Sequence, residues 1–214
     1  MQIEIYSDVV CPWCYIGKRR LDAVLQSSAG DDVVVRWRPY QLYPDIPHAG
    51  YLREAFVLAR NPGAQDVDAL LSRIPSRIAA EAADVGLQFD FAAMKYMPNT
   101  KLAHRLLEFA VEPGVQHQLA EVLFRYYFCE GRDVGDLGVL TEAAAEVGMD
   151  PRLVRDRLAG QEGVDEVERQ LNRSIELGVN GVPCILLGGA FMLPGAQTED
   201  VIESFIVRAK QRFG

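Results

Sequence analysis

Cys11 and Cys14 are separated only by Pro12 and Trp13 in the run Ser7-Asp8-Val9-Val10-Cys11-Pro12-Trp13-Cys14. Two thiols at this spacing can form and break a disulfide between themselves. The first turn of a helix carries unpaired N–H groups and a partial positive charge, which stabilise an anion. A cysteine there loses its proton more readily, so Cys11 is the expected nucleophile. Cys14 lies one helical turn further on and can attack a mixed disulfide formed at Cys11. Pro12 lacks an N–H and suits the first helical turn. Trp13, bulky and uncharged, is placed to shape access to Cys11.

A metal site is the competing use of a cysteine pair, but zinc sites usually draw on a second pair. Cys129 and Cys184 are single, and His48, His104 and His117 show no paired spacing. No metal is expected.

The elements that must position the pair are a strand before it and a helix after it. Residues 2–6 alternate apolar and polar and read as a strand; 12–27 carry a helical pattern. A β-branched run at 32–37 reads as a second strand. Three prolines (Pro39, Pro44, Pro47) then make the run from Arg36 to Pro47 an extended connection. Trp37 and Tyr40 are expected to pack in the core, and the flanking arginines to form surface ion pairs. From 50 to about 177 the patterns are helical: 50–60, 66–73, 76–85, 100–111, 115–130, 137–147, 151–159 and 162–177. Asn99, Asp136 and Asp150 are the expected N-caps of the helices that follow them. Strand signals return at 181–187 and 190–193, joined by a Gly188-Gly189 turn, and Thr198 opens a last helix to about 212. A proline at the head of a core strand is awkward unless its bond is cis, so Val182-Pro183 is a candidate cis peptide.

The 214 residues are 49% hydrophobic, enough for a sizeable core without disulfide staples, and carry a formal charge of −8. That charge argues against a nucleic-acid partner. No apolar run approaches a membrane span, and no basic-then-apolar leader precedes the first strand. The chain is therefore read as cytoplasmic, where four cysteines are more often catalytic or free than structural.

With a dithiol at the head of a β-α-β unit, a helical insertion, and Gly181-Val182-Pro183 before a hairpin and terminal helix, the chain resembles the DsbA family, its FrnE-like branch in particular. The residues that carry the resemblance are Ser7 to Cys14, Trp37-Arg38-Pro39-Tyr40-Gln41-Leu42, Asn99-Thr100 with Ala103-His104-Arg105, and Gly181-Val182-Pro183. The resemblance implies an α/β thioredoxin fold: 1–44 and 178–214 form the thioredoxin domain, and 45–177 a large all-helical insertion whose last helix belongs with the sheet. It implies thiol–disulfide oxidoreductase activity with Cys11 and Cys14 catalytic. Pro12, Trp13, Val182 and Pro183 would contact a bound thiol, which could be protein or glutathione. No cofactor is expected to be tightly bound, glutathione is the candidate co-substrate, and a homodimer is conceivable. The resemblance extends to kappa-class glutathione transferases and 2-hydroxychromene-2-carboxylate isomerases, which use a serine where this chain has Cys11. That glutathione-dependent chemistry is one alternative function; a non-catalytic peptide-binding module is another.

Three further residues are weighed for the site. Asp8 could pass a proton to Cys14 or be a solvated turn residue. His104 could line the groove or belong to the core or surface. Cys184 could be a third redox thiol or a small buried strand residue. Cys129 is read as packing.

Overall fold

The computed structural model describes residues 1–213. β1 (Gln2–Ser7) sends Ile3 and Ile5 into the main core and Tyr6 to the opposite face of the sheet. α1 (Pro12–Leu25) follows, with proline at its start and Cys14, Tyr15, Ile16, Leu21 and Val24 buried. A short 3₁₀ turn, Ser28–Gly30, leads to β2 (Val34–Pro39). β2 begins two residues later than the valine run suggests. Asp32 takes a left-handed φ of 58° and the Val33 N–H is used on Gly30 O at 3.1 Å, so the turn consumes the first positions. β2 lies parallel to β1, with Ile5 opposite Trp37.

The insertion contains β3 (Tyr51–Leu52), α2 (Arg53–Arg60), α3 (Val67–Ser72), α4 (Ser76–Asp84), β4 (Tyr96–Met97), α5 (Lys101–Phe109), α6 (Gln116–Phe128), α7 (Leu137–Glu146), α8 (Pro151–Ala159) and α9 (Val164–Glu176). β3 and β4 pair antiparallel, a ladder too short to leave a periodic signal in the sequence. It takes Tyr51 and Leu52 out of the helix read at 50–60. Asp136 and Asp150 cap as expected, accepting from Val139 N at 2.9 Å and Arg152 N at 2.8 Å. Asn99 instead stands one residue before the N-cap Thr100, though its Oδ1 accepts from Lys101 N at 3.1 Å.

Insertion and sheet share one core. Tyr15 of α1 stacks on Phe124 of α6 at 5.1 Å and donates its hydroxyl to Glu121 at 2.7 Å. Lys18 is buried between Asp22 and Glu121, at 2.8 and 2.9 Å. At the sheet's β2 edge, Trp37 N–H donates to Gln116 Oε1 at 2.9 Å, and Gln116 Nε2 donates to Trp37 O at 3.1 Å. Arg36 pairs with Glu108 at 2.7 Å and Arg38 with Glu4, so these arginines serve ion pairs. Arg105 is buried and donates to the carbonyls of Arg157, Leu158, Gly160 and Glu162, closing the end of α8.

β5 (Cys184–Leu187) returns antiparallel to β1, and β6 (Phe191–Pro194) pairs with it, giving the order β2-β1-β5-β6. Their loop has three residues rather than two, since Leu187 faces Phe191; Gly188 and Gly189 take φ of 56° and 72°. α10 (Glu199–Phe213) packs on α1. No described helix is long and apolar enough to cross a membrane.

Candidate active site

The turn between β1 and α1 puts Cys11 at the N-cap position of α1, with φ −96° and ψ 112°. Its N–H donates to Asp8 O at 3.0 Å, and its carbonyl accepts from Cys14 N at 3.0 Å. The Cys11 thiol reaches Val182 O, 171 positions later in the chain, at 3.6 Å. The Val182-Pro183 bond is cis. This approach depends on Gly17: a Cβ there would stand 3.1 Å from Pro183 Cγ and 3.5 Å from Ala196 Cβ. Pro12 and Trp13 are partly buried, and the Arg77 guanidinium lies 5.2 Å from the Trp13 ring.

Cys14 is fully buried directly behind Cys11; both are free thiols. Burial pushes the Cys14 thiol well above its ordinary range, and a hydrogen bond to Cys11 and the charge there push it further. The Ser7 hydroxyl and the Asp8 backbone pull the other way. Ser7 shares a face with Ile3 and Ile5 by strand alternation, which brings it under the helix start. That alternation was readable in the sequence and would have singled out Ser7, which sequence reasoning missed.

Asp8 is not a solvated turn residue: it is 1% exposed. Its Oδ2 accepts from Leu42 N at 2.8 Å, and its Oδ1 faces His104 Nε2 at 3.6 Å. His104 is buried as well, with Nε2 3.0 Å from Tyr40 O. It stands behind Asp8 in the interior, not in an open groove. Cys184 packs with Tyr6, Val179 and Leu186 in the second cluster, while Cys11 and Cys14 belong to the first; burial raises its thiol too. The structure thus brings Asp8, Cys11, Cys14, Val182 and Pro183 together with His104 one layer behind, and packs Cys184 elsewhere. Cys129, half-buried after α6, is raised by burial and by Glu121. Among the described residues no three His, Cys, Asp or Glu side chains converge as a metal site.

A helix-start dithiol facing a cis-proline, on a four-stranded sheet with a helical insertion, defines a thioredoxin-fold protein of the inserted type. The chain belongs to the family of DSBA-like thioredoxin domains, whose model matches residues 2–207. It is 28% identical over 208 residues to the Bacillus subtilis protein YwbO, covering 96% of each chain. The solved structure of a probable DsbA oxidoreductase from Streptomyces coelicolor superposes with a TM-score of 0.84 at 30% identity, covering 100% of this chain and 92% of that one. The cytosolic disulfide reductase DsbM of Pseudomonas aeruginosa, solved with GSH, shares the fold over all of both chains, at a TM-score of 0.69 and 16% identity.

Proposed function

We propose that the chain is a dithiol oxidoreductase in which Cys11 attacks a disulfide and Cys14 resolves the product. The observation that carries this reading is one thiol at the start of α1, beside the Val182 carbonyl, backed by a second thiol kept protonated by burial and by the first. In the first step the Cys11 thiolate bonds to one substrate sulfur, the substrate S–S bond breaks, and the other sulfur leaves as a thiolate. Cys11 then carries no charge, which removes one of the causes that hold Cys14 protonated. Cys14 loses its proton, bonds to the Cys11 sulfur and releases the second thiolate. The order of the two steps therefore follows from the electrostatics of the pair. Pro12, Trp13, Val182 and Pro183 would contact the substrate, the backbone around Pro183 offering strand-type hydrogen bonds.

The DsbM structure holding GSH supports glutathione as co-substrate, and with it a cytoplasmic setting for the reaction. The test is equilibration in glutathione redox buffers, trapping by alkylation and reading the mass. The reading requires a Cys11–Cys14 disulfide to form reversibly, Cys11→Ser to abolish it, and Cys14→Ser to accumulate a mixed disulfide. Turnover that survives Cys14→Ser would point instead to glutathione transfer or isomerisation.

A further inference from the structure

A cavity of about 680 Å³ opens between the connection after β2 and helix α2. This is within the range of sites for small organic ligands. Its walls include Leu42, Tyr43, Ile46, Tyr51 and Phe56, with Arg60 among its lining residues. Tyr43 and Tyr51 are 36% and 48% exposed, an unusual presentation of two large rings in one concave surface. The Tyr43 and Phe56 rings meet edge to face at 5.1 Å.

One wall of the cavity is tied to the active-site turn through Leu42. Leu42 is fixed by its N–H to Asp8 Oδ2 at 2.8 Å, and the Asp8 carbonyl holds the Cys11 N–H at 3.0 Å. Burial raises the Tyr43 hydroxyl above its ordinary range, while the Arg60 guanidinium opposes this.

Arg60 supplies the chemical selectivity. Its guanidinium lies 3.7 Å from the Phe56 ring centroid and 5.6 Å from that of Tyr43. Its hydrogen bond is to Phe56 O of its own helix at 3.5 Å, and no described carboxylate stands within ion-pairing distance. Stacking on the rings orients the cation and leaves its edge free for an acid. Asp45, also in the lining, is exposed like Arg60, so solvent screens both charges, and Asp45 stands beyond ion-pairing distance of the guanidinium.

Resting on Cys11 as the nucleophile, we infer that this cavity receives one half of a low-molecular-weight disulfide with an aromatic or apolar body and a carboxylate, the carboxylate against Arg60. Cys11 takes the sulfur of that half and the other half leaves as a thiolate. Cys14 then gives up its proton, closes the Cys11–Cys14 disulfide and frees the bound half as a second thiolate.

The probes are 5,5′-dithiobis(2-nitrobenzoate), an aryl disulfide with a carboxylate on each ring, and the neutral 4,4′-dithiodipyridine. Pre-reduced protein, freed of reductant and carrying Cys129→Ser to remove the half-exposed thiol, is mixed with each in a stopped-flow instrument. The ratio of second-order rate constants, acid over neutral, should fall about five- to tenfold in Arg60→Gln and be largely restored in Arg60→Lys. A ratio unchanged by Arg60→Gln overturns the inference. Calorimetric binding of S-methyl-5-thio-2-nitrobenzoate to the Cys11→Ser, Cys14→Ser protein, lost in Arg60→Gln, tests the cavity without redox chemistry. Absence of that binding also overturns the inference. Binding without reaction of either disulfide in the parent would sink the oxidoreductase reading and leave the cavity standing.

Discussion

The His104 imidazole stands between Asp8 and Tyr40, its Nε2 3.6 Å from Asp8 Oδ1 and 3.0 Å from Tyr40 O. With its proton on Nε2, the ring donates to the Tyr40 carbonyl while facing the carboxylate. The other Asp8 oxygen takes the Leu42 N–H. Three chain segments far apart in sequence are thereby tied behind Cys11: the active-site turn, the connection after β2, and α5 of the insertion.

Asp8→Ala should therefore destabilise the protein by about 1–3 kcal/mol, the usual cost of leaving a buried donor unpaired. Urea unfolding reads the loss. Hydrogen exchange at the Leu42 amide should quicken in the same variant, more than at amides of β1.

Removing the Ser7 hydroxyl takes away a group that lowers the Cys14 thiol. The Ser7 Oγ is buried with no partner of its own and is free to donate to the Cys14 thiolate as it forms, so a hydrogen bond of about 0.5–1.5 kcal/mol corresponds to a roughly two- to tenfold slower second step in Ser7→Ala. Attack by Cys11 should change less. The two thiolates released from an aryl disulfide, followed separately by absorbance, distinguish the steps.

The raised Cys14 thiol has a signed consequence for stability. In the unfolded chain it ionises near the ordinary thiol value of 9.0, and in the folded, reduced protein only well above it. The unfolded state thus binds fewer protons in that window, so stability is fully present below pH 9 and is lost as pH rises, by up to about 1.4 kcal/mol per pH unit. Urea midpoints of the reduced protein between pH 7 and 10 should fall more steeply for the parent than for Cys14→Ser.

Arg105 offers the control in which stability moves and chemistry does not. Arg105→Met strips four carbonyls of their donor. The cost should be at least about 2 kcal/mol. The equilibrium constant of the Cys11–Cys14 pair with glutathione should stay within about twofold of the parent's, since none of the Arg105 hydrogen bonds involves Cys11, Cys14, Val182 or Pro183.

The geometry of the candidate site was legible in the sequence because it is local. A strand, a turn and a helix start sit within the first 25 residues, and a proline heading an apolar strand signals its own geometry. The capping aspartates Asp136 and Asp150 were legible for the same reason. What was hidden is long-range. Nothing in the neighbourhood of His104 tells that it will face Asp8, 96 positions earlier. Tyr51 and Leu52 read as helix because a two-residue strand has no period, and its partner Tyr96-Met97 is distant. Ser7 was legible in its place and not in its role: the alternation of Ile3 and Ile5 already assigned its face, but a serine at the end of the strand gives no sign that it will lie beside a thiol.

The two hydrogen bonds between Gln116 and the Trp37 backbone bear on how the molecule behaves in a crowded solution. A side-chain amide presents the same donor and acceptor as a peptide group, so Gln116 stands in for one residue of a neighbouring strand. The outer rim of β2, a ready template for another chain, is closed at its centre by a residue of the protein's own insertion. Gln116→Leu would reopen it, and the expected result is a gain in self-association recorded by light scattering at rising concentration, together with a lowered melting temperature from the two backbone groups left unpaired.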